Sequence, residues 1–219
     1  MNREHALAII KHCFEIGQIS LIPLVIVSII KLPTVERKSM ILLLVFIFWE
    51  IFGVTGHSFH SVYTDWLNIK TESLMQSTLL FSQLFLWGAY PKIKWLYIGL
   101  GGIFLVWLVV ILQFSPTTIG IFTIGYSLLH MILGIDVINR VIKYSIPIKK
   151  DYKFICSICI AMNASFDILL NSCGIFIKVI GVPFFINVSI FCLAIDMLII
   201  FTFLYAIIWI PKEQKYSRW

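Results

Sequence analysis

Residues 183–210 read PFFINVSIFCLAIDMLIIFTFLYAIIWI, and Asp196 is the one charged side chain among them. A helix needs about 20 consecutive, mostly apolar residues to cross a bilayer. This segment is long enough to do so, and it sets Asp196 near mid-membrane. An ionised carboxylate there costs roughly 2.5–3.5 kcal/mol on insertion scales. A chain tolerates that cost only where the group faces a protein interior or a hydrated cavity.

Working outward from this segment, six further stretches satisfy the same length and polarity test: 6–30, 39–63, 71–90, 93–112, 117–138 and 153–177. The expectation is an all-α polytopic membrane protein, a seven-transmembrane-helix bundle forming a single transmembrane domain over residues 1–219. The first span has two readings, with its start at residue 6 or nearer residue 16. Composition agrees: 60% of residues are hydrophobic, 13% are charged, and the mean hydropathy is +0.96. Soluble domains carry about 25% charge. The spans leave no room for a soluble catalytic, kinase or nucleotide-binding domain. Pro33, Pro91, Pro116, Pro147, Pro183 and Pro211 fall between spans or in a terminal turn, where a missing N–H matters little. Pro23 alone lies inside a span, where it is expected to kink the first helix.

The net charge of +6 invites a nucleic-acid reading that its distribution opposes. Lys31, Arg37, Lys38, Lys92, Lys94, Arg140, Lys143, Lys149, Lys150, Lys153, Lys212, Lys215 and Arg218 fall on one side of the expected membrane. Arg3, Lys11, Lys70 and Lys178 fall on the other. By the positive-inside rule the N-terminus is outside and the C-terminus cytoplasmic. The expected partners are therefore the lipid bilayer and a membrane or cytoplasmic signalling partner, with no nucleic acid. The basic stretch 139–153 is suited to holding anionic lipid. No cleavable signal peptide is expected, because Lys11 and Glu15 interrupt any early apolar core.

The turn between helices 3 and 4 is little more than Pro91-Lys92, so these two helices are antiparallel neighbours. Gly99, Gly101 and Gly102 in helix 4 suit close backbone approach within a lipid-facing scaffold. Trp66, Trp87, Trp95 and Trp209 sit near expected helix ends, as an aromatic belt places them. All five cysteines fall in spans, and Cys156-x-x-Cys159 lacks the strand–helix context of a redox motif. Small packing residues are the better reading of these thiols. No internal repeat is visible.

Inside the spans four carboxylic acids stand out: Glu15, Glu50, Asp167 and Asp196. The one basic residue at comparable depth is Lys11. Four acids against one base cannot all be paired ions, so some must carry a proton or be neutralised by a histidine or a bound cation. Such groups are functional candidates by default. Glu50, His57 and His60 share one face of helix 2. With His12 and Glu15 they fall in one outer layer, so that His12, His57 and His60 make up the ligand inventory of a first-row metal site. Solvated or structural histidines, and proton sensing, are the alternatives. Asn163, Asp167 and Asn171 repeat every four residues along helix 6. Asn187, Ser189 and Asp196 mark helix 7, and Gln76 and Gln83 mark helix 3. For the amides, hydrogen bonds between helices are expected to hold the bundle together. Tyr126 and His130 share a face of helix 5, on the cytoplasmic side, and Asp136 pairs with Arg140 one turn on.

Seven spans with an outside N-terminus invite comparison with microbial rhodopsins, but helix 7 has no lysine to hold retinal, so no retinal is expected. Membrane-embedded zinc hydrolases related to alkaline ceramidases place histidines in the last helix. Here Glu50, His57 and Ser58 are similar to their early motif, but helix 7 has no histidine. Residues 71–112 and 155–210 resemble, in hydropathy and loop layout, uncharacterised small seven-helix integral membrane proteins of Bacteroidota-type bacteria. The resemblance implies a compact sensory or accessory module of the inner (plasma) membrane, and it carries over no activity.

Four functions follow from these residues. The first is a sensory or accessory module with a polar, acid-lined intramembrane cavity, signalling through a partner. In it Glu15, His57 and His60 form the mouth, and Glu50, Asp167 and Asp196 the floor. The second is a proton or cation channel or transporter. The third is an intramembrane hydrolase using a divalent metal on His12, His57 and His60. The fourth is a structural subunit of a membrane complex. Non-enzymatic readings are favoured.

Overall fold

A computed structural model describes residue 19 and residues 21–36, 39–48, 62–88, 93–112, 116–144 and 151–210. The helices within these segments are α1 (Leu21–Thr34, its last turn a 3-10 helix), α2 (Ser39–Phe48), α3 (Val62–Trp87) and α4 (Lys94–Leu112). They continue with α5 (Pro116–Tyr144), α6 (Tyr152–Ile175), a single turn α7 (Ile177–Ile180) and α8 (Val182–Ile208). The chain is an all-α, multi-pass membrane protein. At least three segments are long and apolar enough to cross a bilayer: Thr117–Lys143, Tyr152–Ile175 and Val182–Ile208.

Local chemistry sets these limits. Pro116 opens α5, and Pro183 sits in the first turn of α8, where proline has no hydrogen bond to lose. Asp151 caps α6: its carboxylate accepts from the backbone N–H groups of Lys153 at 2.9 Å and Phe154 at 3.3 Å. Between α7 and α8 the backbone turns at Gly181, whose φ of 83° favours glycine.

α3 corrects the expected boundary. It begins at Val62, where helix 2 was expected to run to residue 63 and helix 3 to start at residue 71. Thr64, Asp65, Asn68 and Lys70 read as a polar connection. No glycine or proline falls between Gly56 and Gly88, however, so nothing in the sequence stops the helix. α5 likewise runs on past residue 138 to Tyr144, with Arg140 Nε 2.8 Å from Asp136 Oδ2 across one turn.

Hydrogen-bonding side chains are part of the interior. Ser28, Ser39, Ser73, Ser77, Gln83, Ser127, His130 and Ser157 are all buried. Meanwhile Leu105, Ile132, Leu198 and Phe201 face outward. Apolar side chains outside and hydrogen-bonding groups inside are what lipid demands of a bundle.

Several contacts gather one end of the molecule. Lys31 Nζ donates to the carbonyls of Ile207 and Ile208, placing a cation on the open C-terminus of α8. Ser39 Oγ and Tyr152 Oη are 2.7 Å apart, and the Tyr152 ring meets Trp87 edge-on at 5.9 Å. The ends of α1, α3, α5 and α8 and the starts of α2, α4 and α6 therefore lie together. Lys31, Lys94, Arg140, Lys143 and Lys153 belong to this end.

Gln83, fully buried, ties α3 to α2 by accepting the Leu42 N–H at 2.8 Å. That N–H belongs to the first turn of α2. Gln83→Leu removes this bond between the two helices. The expected cost is about 0.5–1.5 kcal/mol, measurable as a lowered midpoint of denaturant unfolding in a fixed detergent.

Candidate functional site

At mid-depth α3, α5 and α6 bring polar side chains to one point. Asp167 and Asn163 lie 15 and 11 residues into α6 from Tyr152, or roughly 16–23 Å from the lysine-rich end at 1.5 Å per residue. The Asn163 amide nitrogen donates to Asp167 Oδ2 at 3.2 Å. Asn171 Nδ2 donates to the Asp167 backbone carbonyl at 2.8 Å. The four-residue amide stripe thus bonds along its own helix, which corrects the expectation of bonds between helices. It steadies the Asp167 carboxyl and the backbone that carries it. The expectation does describe α3, where Gln76 and Gln83 both bond outside their own helix.

From α5, Tyr126 Oη donates to Gln76 Oε1 at 3.2 Å. One turn on, the buried His130 ring lies with Nε2 3.2 Å from the Ser77 carbonyl. A carbonyl oxygen only accepts, so Nε2 carries the hydrogen and Nδ1 is the acceptor of the neutral ring. The two rings sit 5.4 Å apart. The sequence placed this pair on the cytoplasmic side. In the structure α5 extends to Tyr144, so His130 falls at the middle of the helix and joins the site.

These groups surround a cavity of ≈20 Å³ lined by Gln76, His130, Asn163 and Asp167, with Val45, Phe46 and Phe203 among its apolar walls. A cavity needs at least about 10–15 Å³ and two to four polar partners to hold a water. This one meets both conditions. With Gln76 Oε1 taken by Tyr126, the Gln76 amide nitrogen is a donor for the cavity, while His130 Nδ1 and the Asp167 carboxyl are acceptors. A water, a proton or a small cation fits; an organic ligand does not.

Asp196 on α8 and Glu72 on α3 act on Asp167 electrostatically as like charges. Among the described residues no lysine or arginine pairs with Asp167 or Asp196. The rest of the α8 stripe does not converge here: Asn187 is exposed, and Ser189 Oγ bonds the Phe185 carbonyl of its own helix at 2.9 Å. Glu15, Glu50, His12, His57 and His60 lie outside the described residues. Among those described, no group of three or more His, Cys, Asp or Glu side chains is placed to hold a metal.

Sequence reasoning missed Glu72. Its spacing of four from Gln76 and eleven from Gln83 places all three on one face of α3, and that was the available signal.

No protein-family model, curated protein or solved structure matches the chain.

Proposed function

We propose that this chain is a proton-responsive sensory or accessory module of the bacterial inner membrane, a seven-helix bundle with its N-terminus outside. The reading rests on one observation: a water-sized polar cavity at mid-depth holds a carboxyl, Asp167, with like-charged neighbours and no cationic partner among the described residues. Gain or loss of a proton there changes the repulsion between α6 and α8 and the hydrogen bonding among α3, α5 and α6. The lysine-rich end, where α5, α6 and α8 meet, passes that change to a partner.

A second reading is a proton or small-cation relay. Its support is that Glu72, Asp167 and Asp196 come from three helices and that the first and last both act on Asp167, as stations on either side of a relay would.

One experiment addresses both. The full chain is reconstituted in vesicles with an environment-sensitive fluorophore at Lys143→Cys and a pH dye inside, and a pH step is applied. The sensory reading expects a fluorescence change with no flux above empty vesicles. Proton flux shifts the assignment to the relay. A silent fluorophore with no flux sinks both.

A further inference from the structure

Besides Asp167, the mid-depth cavity is lined by a group whose hydrogen bonding is fixed from outside it. His130, 2% exposed, gives its Nε2 hydrogen to the Ser77 carbonyl on α3. The neutral ring therefore presents a bare Nδ1, an acceptor in the ≈20 Å³ space that it shares with Asp167. Two acceptors on one small space need a donor between them, since a buried polar atom left unbonded is costly.

The neighbouring atoms decide which donor fits. Asp167 Oδ2 accepts from Asn163, so Oδ1 is left for the cavity. Gln76 Oε1 accepts from Tyr126, so the Gln76 amide nitrogen has hydrogen to offer there. A metal cation would satisfy the two acceptors but meet that N–H head-on. A water satisfies all of these groups, donating to His130 Nδ1 and Asp167 Oδ1 and accepting from Gln76. Buried waters make about three such bonds, and the ≈20 Å³ admits one. When Asp167 carries a proton the water turns. The acid O–H then donates to it, and the freed water hydrogen can pass to the side-chain oxygen of Asn163, which also lines the cavity. The bond to His130 persists in both states.

Resting on the reading of Asp167 as the group that gains and loses a proton, we propose that one bound water solvates its carboxylate and that His130 is the positioning residue holding that water. The other groups facing Asp167 cannot take this part. Among the described residues, Asp196 on α8 and Glu72 on α3 act on it as like charges. Tyr126 on α5 has its hydrogen committed to Gln76, and α2 brings the apolar Val45 and Phe46. Loss of the water removes a hydrogen bond to the charged form, so the carboxyl keeps its proton to higher pH.

The test is infrared difference spectroscopy of the full chain in lipid vesicles, stepped in pH and recorded in ordinary and in oxygen-18 water. The wild-type protein should show a water O–H stretching band that changes together with the Asp167 carboxyl bands and moves on isotope exchange. His130→Phe keeps the bulk of the ring without Nδ1. It should lose that band and raise the Asp167 midpoint by about one pH unit, a tenfold change in proton affinity. His130→Gln, with an amide donor for Ser77 and an amide oxygen for the water, should restore part of both. Wild-type Asp167 bands that respond to pH with no isotope-sensitive water band overturn the inference without recourse to any variant, and leave the Asp167 reading in place. So does a His130→Phe protein with the wild-type band and midpoint. No carboxyl response at all removes the Asp167 reading as well.

Discussion

Gly134→Leu is expected to destabilise the protein by about 2–3 kcal/mol, the largest loss from any single substitution considered for this fold. Among the described residues α5 and α6 form the most extensively packed pair of helices, and Gly134 of α5 faces Ser157 and Ala161 of α6. A Cβ at this position would come within 3.2 Å of the Ser157 carbonyl oxygen and 3.4 Å of the Ala161 Cβ. The first of these is backbone and cannot swing aside, so a leucine must push the helices apart. In lipid, where small residues rather than hydrophobic exclusion bring helices together, that displacement costs the contacts that define the interface. Gly134→Ala should lie close to neutral, because the tight contact offsets up to about 1 kcal/mol of helix propensity. Gly101→Ala is the control: with no atom within 4 Å of the added Cβ, it should gain stability. Unfolding midpoints of the three variants in one detergent check the order. A Gly134→Leu protein as stable as wild type would show that α5 and α6 are not packed in this way.

Asp167→Asn is expected to leave stability unchanged within about 0.5 kcal/mol and to abolish the response to a pH step. The asparagine oxygen can still accept from Asn163 Nδ2, and the backbone carbonyl bonded by Asn171 is untouched. What disappears is the titratable proton and the charge that acts against Asp196 and Glu72. Asp167→Glu restores the proton at a shifted position and should recover part of the response. The check is the fluorescence change at Lys143→Cys for the three proteins side by side. An Asp167→Asn protein that responds like wild type removes this residue from the mechanism.

Much of the helical architecture was legible because α5, α6 and α8 are long apolar runs bounded by proline, glycine or an aspartate cap. The α2–α3 boundary was not, since polarity between Thr64 and Glu72 resembles a loop and only the absence of helix breakers says otherwise. Asp167 and Asn163 could be read together because four-residue spacing is a local property of one helix. The company they keep could not be read in the same way. Whether Gln76 and His130 meet Asp167 depends on how far each helix extends and on its rotation about its own axis. Hydropathy reports neither where α5 ends nor which way Tyr126 turns. The direction of the amide bonds was equally hidden: asparagine one turn from aspartate can bond along its helix, whereas Gln76 and Gln83 bond across to α5 and α2.

The central claim, that the Asp167 site exchanges a proton within the folded bundle, is tested most directly by infrared difference spectroscopy of reconstituted protein with isotope-labelled aspartate carboxyls. Stepping the pH across the range in which the protein stays folded should exchange a carboxylic-acid C=O band for carboxylate bands. The Asp167→Asn protein should lack that exchange. A wild-type spectrum with no aspartate band responding to pH, or one whose response is fully retained in Asp167→Asn, would contradict the account.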